Sequence, residues 1–93
     1  MDTVTRIGVV GTGFIARGLI MALDDRSDMV VSRVLTRTDP GRRQGFPGKD
    51  RLTCSVEELI EYSDIVVECT GDVVYATEVL DRVMREGVPV ITM

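Results

Sequence analysis

The sequence predicts an α/β domain built on an open, parallel sheet. Three observations carry that expectation. Short runs rich in Val and Ile alternate with segments of helical spacing along nearly the whole chain. The first run, Thr5–Val10, is apolar without alternation toward its end, as in a strand buried on both faces, and closes on the turn Gly11-Thr12-Gly13. A chain of 93 residues with 44% apolar and 28% charged side chains suits one small domain with a thin core. Strands that alternate with helices pair in parallel through right-handed crossovers. The expected strand order is therefore 3-2-1-4-5, with helices on both faces and a crevice between the first and fourth strands.

The elements follow in order. Phe14 to about Leu23 carries apolar residues at Ile15, Leu19 and Ala22, with Ala16, Ile20 and Leu23 beside them, which is helical spacing. The charged run Asp24–Asp28 ends that helix, and Met29–Leu35 reads as the second strand. Residues 38–50 hold three Gly, two Pro and several charges, so they read as a loop. The helix usual between second and third strands is then absent or tiny, leaving one long helix on that sheet face. Arg51–Cys54 is a short third strand.

Ser55-Val56-Glu57-Glu58 reads as a capping box, with Ser55 accepting from the Glu58 amide and the Glu58 carboxylate reaching back. A helix of two turns follows, burying Val56, Leu59 and Ile60. Asp64–Cys69 is the fourth strand. Asp72 is expected to cap a helix over Val73–Glu86, with Val73, Ala76, Leu80, Val83 and Met84 buried. Its wet face pairs Glu78 with Arg82 and Asp81 with Arg85. Gly87 suits the residue after that helix, and Val88–Thr92 is a fifth strand. The chain reads as truncated there, so residues 1–93 are expected to be one domain of something longer.

Composition narrows the function. A net charge of −4 speaks against nucleic acid or an anionic membrane as partner. No apolar stretch approaches the ~20 residues of a membrane span, and no secretory segment opens the chain, so a cytoplasmic, reduced protein is expected. Cys54 and Cys69 then read as small buried hydrophobes. There is no His, and Lys49 is the only lysine, which leaves few groups for acid–base chemistry near neutral pH. No catalytic residue and no metal ligand is assigned.

Gly11-Thr12-Gly13-Phe14-Ile15-Ala16 fits G-x-G-x-x-A between a buried strand and an amphipathic helix, the context in which that pattern binds dinucleotides. Gly11 permits the tight turn, Gly13 lets backbone approach a pyrophosphate, and Ala16 lets the helix pack close on the strand. Gly18 is read as extending that close approach. The helix then offers unpaired amides and a partial positive charge to the phosphates.

The tip of the second strand, Leu35-Thr36-Arg37-Thr38-Asp39, selects the dinucleotide. NAD sites place an acid there for the ribose hydroxyls, about 20 residues past the glycine turn. Thr36 stands at that position, followed by Arg37 and Thr38, with Arg42 and Arg43 in the adjoining loop. Guanidinium binds a 2′-phosphate in a charge-assisted fork, so NADP is favoured over NAD. The alternative is that Arg37 is a solvated charge and Asp39 swings in to serve NAD. The missing acid also argues against FAD and S-adenosylmethionine, and no G-K-[ST] marks a Walker loop.

On the far wall of the crevice stands Glu68-Cys69-Thr70-Gly71-Asp72. Two readings of Glu68 stand side by side: one is contact with the nicotinamide ribose or with a substrate-domain residue, the other a partly wet strand end or an ion pair with a nearby arginine. Thr70 and Gly71 can bring backbone close to a flat ring. Cys69 as nucleophile lacks a neighbouring base.

The glycine turn, DIVVECTG at Asp64–Gly71 and EGVPVITM at Glu86–Met93 together resemble the amino-terminal NAD(P)-binding domain of homoserine dehydrogenase and of homoserine dehydrogenase-like oxidoreductases. That resemblance implies a Rossmann-type fold with the pyrophosphate at Gly11, Thr12, Gly13, Phe14 and Ile15. It implies the adenosine ribose at Thr36 and Arg37 and the nicotinamide ribose at Cys69, Thr70 and Gly71. It implies hydride transfer between NAD(P) and a small polar alcohol or carbonyl. The fifth strand in that family typically leads to an Asn-Lys pair, and the chain stops at Thr92-Met93 before it. The partner implied is a missing carboxy-terminal substrate domain, and self-association through exposed apolar surface is a further expectation. The competing reading is a nucleotide- or CoA-binding module without catalysis.

Overall fold

In the computed structural model, residues 3–37 and 45–93 are described. The elements are β1 (Thr5–Val10), α1 (Phe14–Leu23), β2 (Met29–Leu35), β3 (Leu52–Thr53), α2 (Val56–Glu61), β4 (Ile65–Glu68), α3 (Val73–Arg85) and β5 (Val90–Thr92). The five strands form one sheet in the order β3-β2-β1-β4-β5, and every pairing is parallel. Between β2 and β3 the described residues contain a single 3₁₀ turn, Lys49–Arg51, where a longer α/β domain would carry a helix.

Register decides where the turns end up. Val10 lies level with Leu35 on one side and Glu68 on the other, so β2, β1 and β4 finish together. The turns that follow them therefore share one edge of the sheet. Backbone bonds carry the ladder beyond the strands, from Gly11 N to Leu35 O (3.1 Å), Cys69 N to Val10 O (2.9 Å) and Thr36 N to Thr53 O (2.9 Å).

The core has two halves, one on each face. Ile7 and Val9 point to one side, with Ala16 and Ile20 of α1, Val31, Val34 and Val67. Phe46 joins them, only 4% exposed, so the segment between β2 and β3 contributes to the core. Val10 points to the other side, with Leu35, Val66, Leu59 of α2 and Val79, Leu80 and Val83 of α3. The helices thus lie on both faces.

Several local expectations are corrected. In α3 the buried residues are Ala76, Val79, Leu80 and Val83, while Val73 and Met84 are exposed. Met84 lies a further 100° round the helix from Val83, and Val73 opens the first turn. Arg82 bonds Glu57 of α2 rather than Glu78, whereas Asp81 and Arg85 pair as expected at 3.0 Å. Cys54 is exposed, not buried. A Cβ on Gly18 would meet nothing within 4 Å, so Gly18 extends no close packing. Half the capping box forms: Ser55 Oγ accepts from Glu58 N at 3.1 Å. The other half is displaced, because Ser55 N donates to Thr53 Oγ1 (3.0 Å) and the Glu58 carboxylate accepts from Arg33 (3.1 Å). Gly87, at φ +80°, closes α3 as expected, with Val88 N bonding back to Val83 O.

One glycine is fixed by packing alone. A Cβ on Gly8 would lie 2.1 Å from Ser63 Oγ and 2.8 Å from Leu59 Cδ1, so α2 sits on β1 only because that side chain is missing. Ser63 is buried, and its hydroxyl has no hydrogen-bond partner among the described residues. Gly8→Ala is expected to destabilise the chain by about 1–3 kcal/mol through overpacking. Ser63→Ala alone stays within about 1 kcal/mol of the parent, since the hydroxyl it removes is unsatisfied. Combined, the two regain part of the Gly8→Ala loss. Urea titration of the four proteins checks this, and strict additivity would refute the contact.

Candidate functional site

Three turns surround a cleft of about 350 Å³ at the carboxyl ends of the strands. The turn after β1 brings Gly11, Thr12 and Gly13. The end of β2 brings Thr36 and Arg37, and the turn after β4 brings Cys69 and Thr70. Seven residues singled out from sequence thus line one cavity. Thr38, Asp39, Arg42 and Arg43 lie outside the described residues. Phe14, Ile15 and Gly71 are placed beside the cleft without lining it, and Phe14 is 91% exposed.

Gly11 makes the cavity possible. Its φ of +114° disfavours a side chain, and a Cβ there would lie 3.1–3.2 Å from the backbone of Cys69 and Thr70. The turns after β1 and β4 can approach only over this bare backbone. Gly13 is different. Its φ of −78° is ordinary, and a Cβ on it would meet no atom of the described residues within 4 Å. Nothing within the described fold requires glycine at 13; open space at the cleft does not oppose a side chain, but a closely approaching ligand would.

The head of α1 faces the same space. Gly13 is its N-cap, has no side chain to satisfy the first amides, and no acid follows in the first turn. The α2 and α3 termini are both closed by side chains, Ser55 and Asp72. The positive end of α1 is therefore left for an anion, with its amides unclaimed by a cap.

The β4 turn is rigid. Glu68 is buried, and its Oε2 accepts from Thr70 N (2.6 Å) and Thr70 Oγ1 (2.8 Å). Thr70 Oγ1 in turn accepts from Asp72 N (3.0 Å). The second reading of Glu68, a partly wet strand end or an arginine pair, does not describe this arrangement, in which the buried carboxylate folds the turn that follows it. Burial pushes the Cys69 thiol above its ordinary value, and the charge of Glu68 pushes the same way. A thiolate is disfavoured there, which removes the nucleophile reading.

Two lining residues escaped the sequence reading. Leu35 reads as ordinary strand core. Tyr75, three residues after a cap, drew no reading from the sequence, and its ring lies 4.5 Å from the Arg37 guanidinium carbon. Arg37 also donates from Nη1 to Asp72 Oδ2 at 3.0 Å, while Asp72 Oδ1 accepts from Tyr75 N at 3.1 Å. Arg37 is thus partly exposed yet tied at the cleft by Asp72 and Tyr75.

The Tyr75 amide, and then Arg37, hold the Asp72 carboxyl below its ordinary value. A carboxyl lowered by folding contributes stability at pH above about 4, lost as pH falls through the lower folded value. Asp72→Asn keeps an acceptor for the cap and removes the titration. Its stability is expected to fall less steeply than the parent's between pH 4 and pH 2. Chemical denaturation across that range checks this, and parallel curves would contradict it.

Comparison with known proteins fits this geometry. A family model described as the NAD-binding domain of homoserine dehydrogenase matches residues 11–93, from the first glycine of the turn onward. No curated protein matches the chain. Two crystal structures of S. aureus homoserine dehydrogenase, determined at pH 8.5 and pH 7.0, superpose with a TM-score of 0.80 at 21% identity. Each alignment covers 99% of this chain and 26% of that one, so the chain spans about a quarter of the enzyme it matches. The glycine turn, the strand order and the family match agree: this chain belongs to the family of homoserine dehydrogenase NAD-binding domains.

Proposed function

We propose that these 93 residues are the cofactor domain of a longer oxidoreductase that uses NADP in preference to NAD. The observation that carries this reading is the Gly11–Gly13 turn, an uncapped helix head beside a cleft in which a Cβ at 13 meets no atom of the described residues within 4 Å. Backbone amides at the start of α1 hold the pyrophosphate. Thr36 and Arg37 face the adenosine ribose, with Arg37 forking onto a 2′-phosphate. Cys69, Thr70 and Gly71 lie along the nicotinamide ribose, and Thr70 is kept in place by Glu68. The bound nicotinamide supplies or accepts hydride.

The substrate is a small polar alcohol or carbonyl, held by a part of the protein outside these residues, where the catalytic groups also lie. Phe14, Val73 and Val74 are exposed at the heads of α1 and α3, and they suit contact with that part or with a second copy. No helix among the described residues is long and apolar enough to cross a membrane. A cytoplasmic setting without a nucleic-acid partner is part of the same reading, in keeping with the net charge of −4.

Titration of the chain with NADPH, NADH and CoA tests the assignment. NADPH is expected to bind tightest, and Arg37→Gln to erase its advantage by weakening NADPH about tenfold. Tighter binding of NADH by the parent chain would overturn the NADP preference. Tighter binding of CoA than of either dinucleotide would favour a non-catalytic module instead.

A further inference from the structure

The end of β2 carries no acid at Thr36 or Arg37, yet the fold delivers one there from 35 residues away. Asp72, at the head of α3, divides its carboxylate between two tasks. Oδ1 accepts from Tyr75 N at 3.1 Å and closes the helix, and Oδ2 accepts from Arg37 Nη1 at 3.0 Å. The Tyr75 ring lies against the same guanidinium, 4.5 Å from centroid to Cζ. Both charged groups are part exposed, 58% for the Arg37 side chain and 38% for that of Asp72; Arg37 lines the cleft, and Asp72 adjoins it through this bond.

We infer that Asp72 is a specificity-determining residue, whose carboxylate beside Arg37 holds down the preference for the 2′-phosphorylated dinucleotide and keeps the site open to NAD. This inference rests on the reading that Arg37 receives the adenosine ribose. A 2′-phosphate arriving at Arg37 gains one cation and meets one anion a single hydrogen bond away. It must share the guanidinium with Asp72 or displace it. A 2′-hydroxyl carries no charge, so Asp72 does not repel it, and a hydroxyl can donate to a carboxylate. The same pair of residues therefore penalises the two ligands unequally. The penalty is a Coulombic one between partly solvated groups, so it is modest and screened by salt.

Asp72→Asn isolates the charge, since Asn is an equally good helix cap and keeps the shape. The Kd of the parent chain, Asp72→Asn and Arg37→Gln is measured for NADPH and NADH at low and high salt, with circular dichroism as a check on folding. Asp72→Asn is expected to raise the NADPH:NADH affinity ratio about fivefold at low salt and by less at high salt. Arg37→Gln lowers that ratio. If Arg37→Gln lowers the ratio while Asp72→Asn leaves it unchanged or lowers it too, Asp72 only positions Arg37 and the inference is overturned alone. If Arg37→Gln leaves the ratio unchanged, the assignment of Arg37 itself falls, and the role of Asp72 with it.

Discussion

Two turns of bare backbone meet at Gly11, and the site depends on that meeting. The chain leaving β1 lies so close to the peptide between Cys69 and Thr70 that a Cβ on Gly11 would stand 3.1–3.2 Å from it, at a positive φ that itself disfavours a side chain. Because β1 and β4 are neighbours in register, with Val10 beside Glu68, the approach happens directly over the sheet edge. The cleft is the space left above it. α1 starts three residues after Gly11, so its head faces that space. Strand order, turn and helix dipole thereby act on the same cleft.

The two glycines of the turn serve different ends. Gly11 is required by the protein's own atoms and by a positive φ. Gly13 is required by neither. Open space alone does not mark a ligand, since Gly18 is equally unhindered; at Gly13 it coincides with the cleft and the uncapped head of α1, and that coincidence supports the proposed anion. The opposite wall is held by a buried carboxylate that folds its own turn, so Thr70 is presented at a set height without help from ligand. Charge at the cleft mouth is balanced: Arg37 is stacked on Tyr75 and tied to Asp72.

Much of this was readable along the chain because the governing chemistry is local. The strand and helix periods, the Ser55 and Asp72 caps and the Gly87 terminus each depend on residues three or four apart. The crevice followed from βα alternation, which leaves few topologies. What was not readable depends on pairs distant in sequence. Gly8 needs Ser63 and Leu59, Arg37 needs Asp72 and Tyr75, and Arg82 prefers Glu57 on another helix to Glu78 one turn away. Tyr75 carries no linear signal of its role, since a half-buried aromatic early in a helix is equally suited to core or surface. The expected stripe of α3 erred at its two ends, at Val73 in the first turn and at Met84 beside the true last member, Val83, and it omitted the buried Val79. Phe46 shows the converse, a residue of the segment between β2 and β3 placed in the core.

The central claim is that Gly13 is kept bare by a bound pyrophosphate and not by the fold. Its most direct test is Gly13→Val, with thermal melting and dinucleotide titration on the same protein. The account predicts a loss of about 1 kcal/mol or less in stability, the cost of a poorer N-cap. It also predicts that NADPH affinity falls at least about tenfold, because a side chain then stands where the backbone must approach the phosphates. A variant that binds NADPH as the parent does would contradict it, and so would one whose affinity falls only because the chain has unfolded.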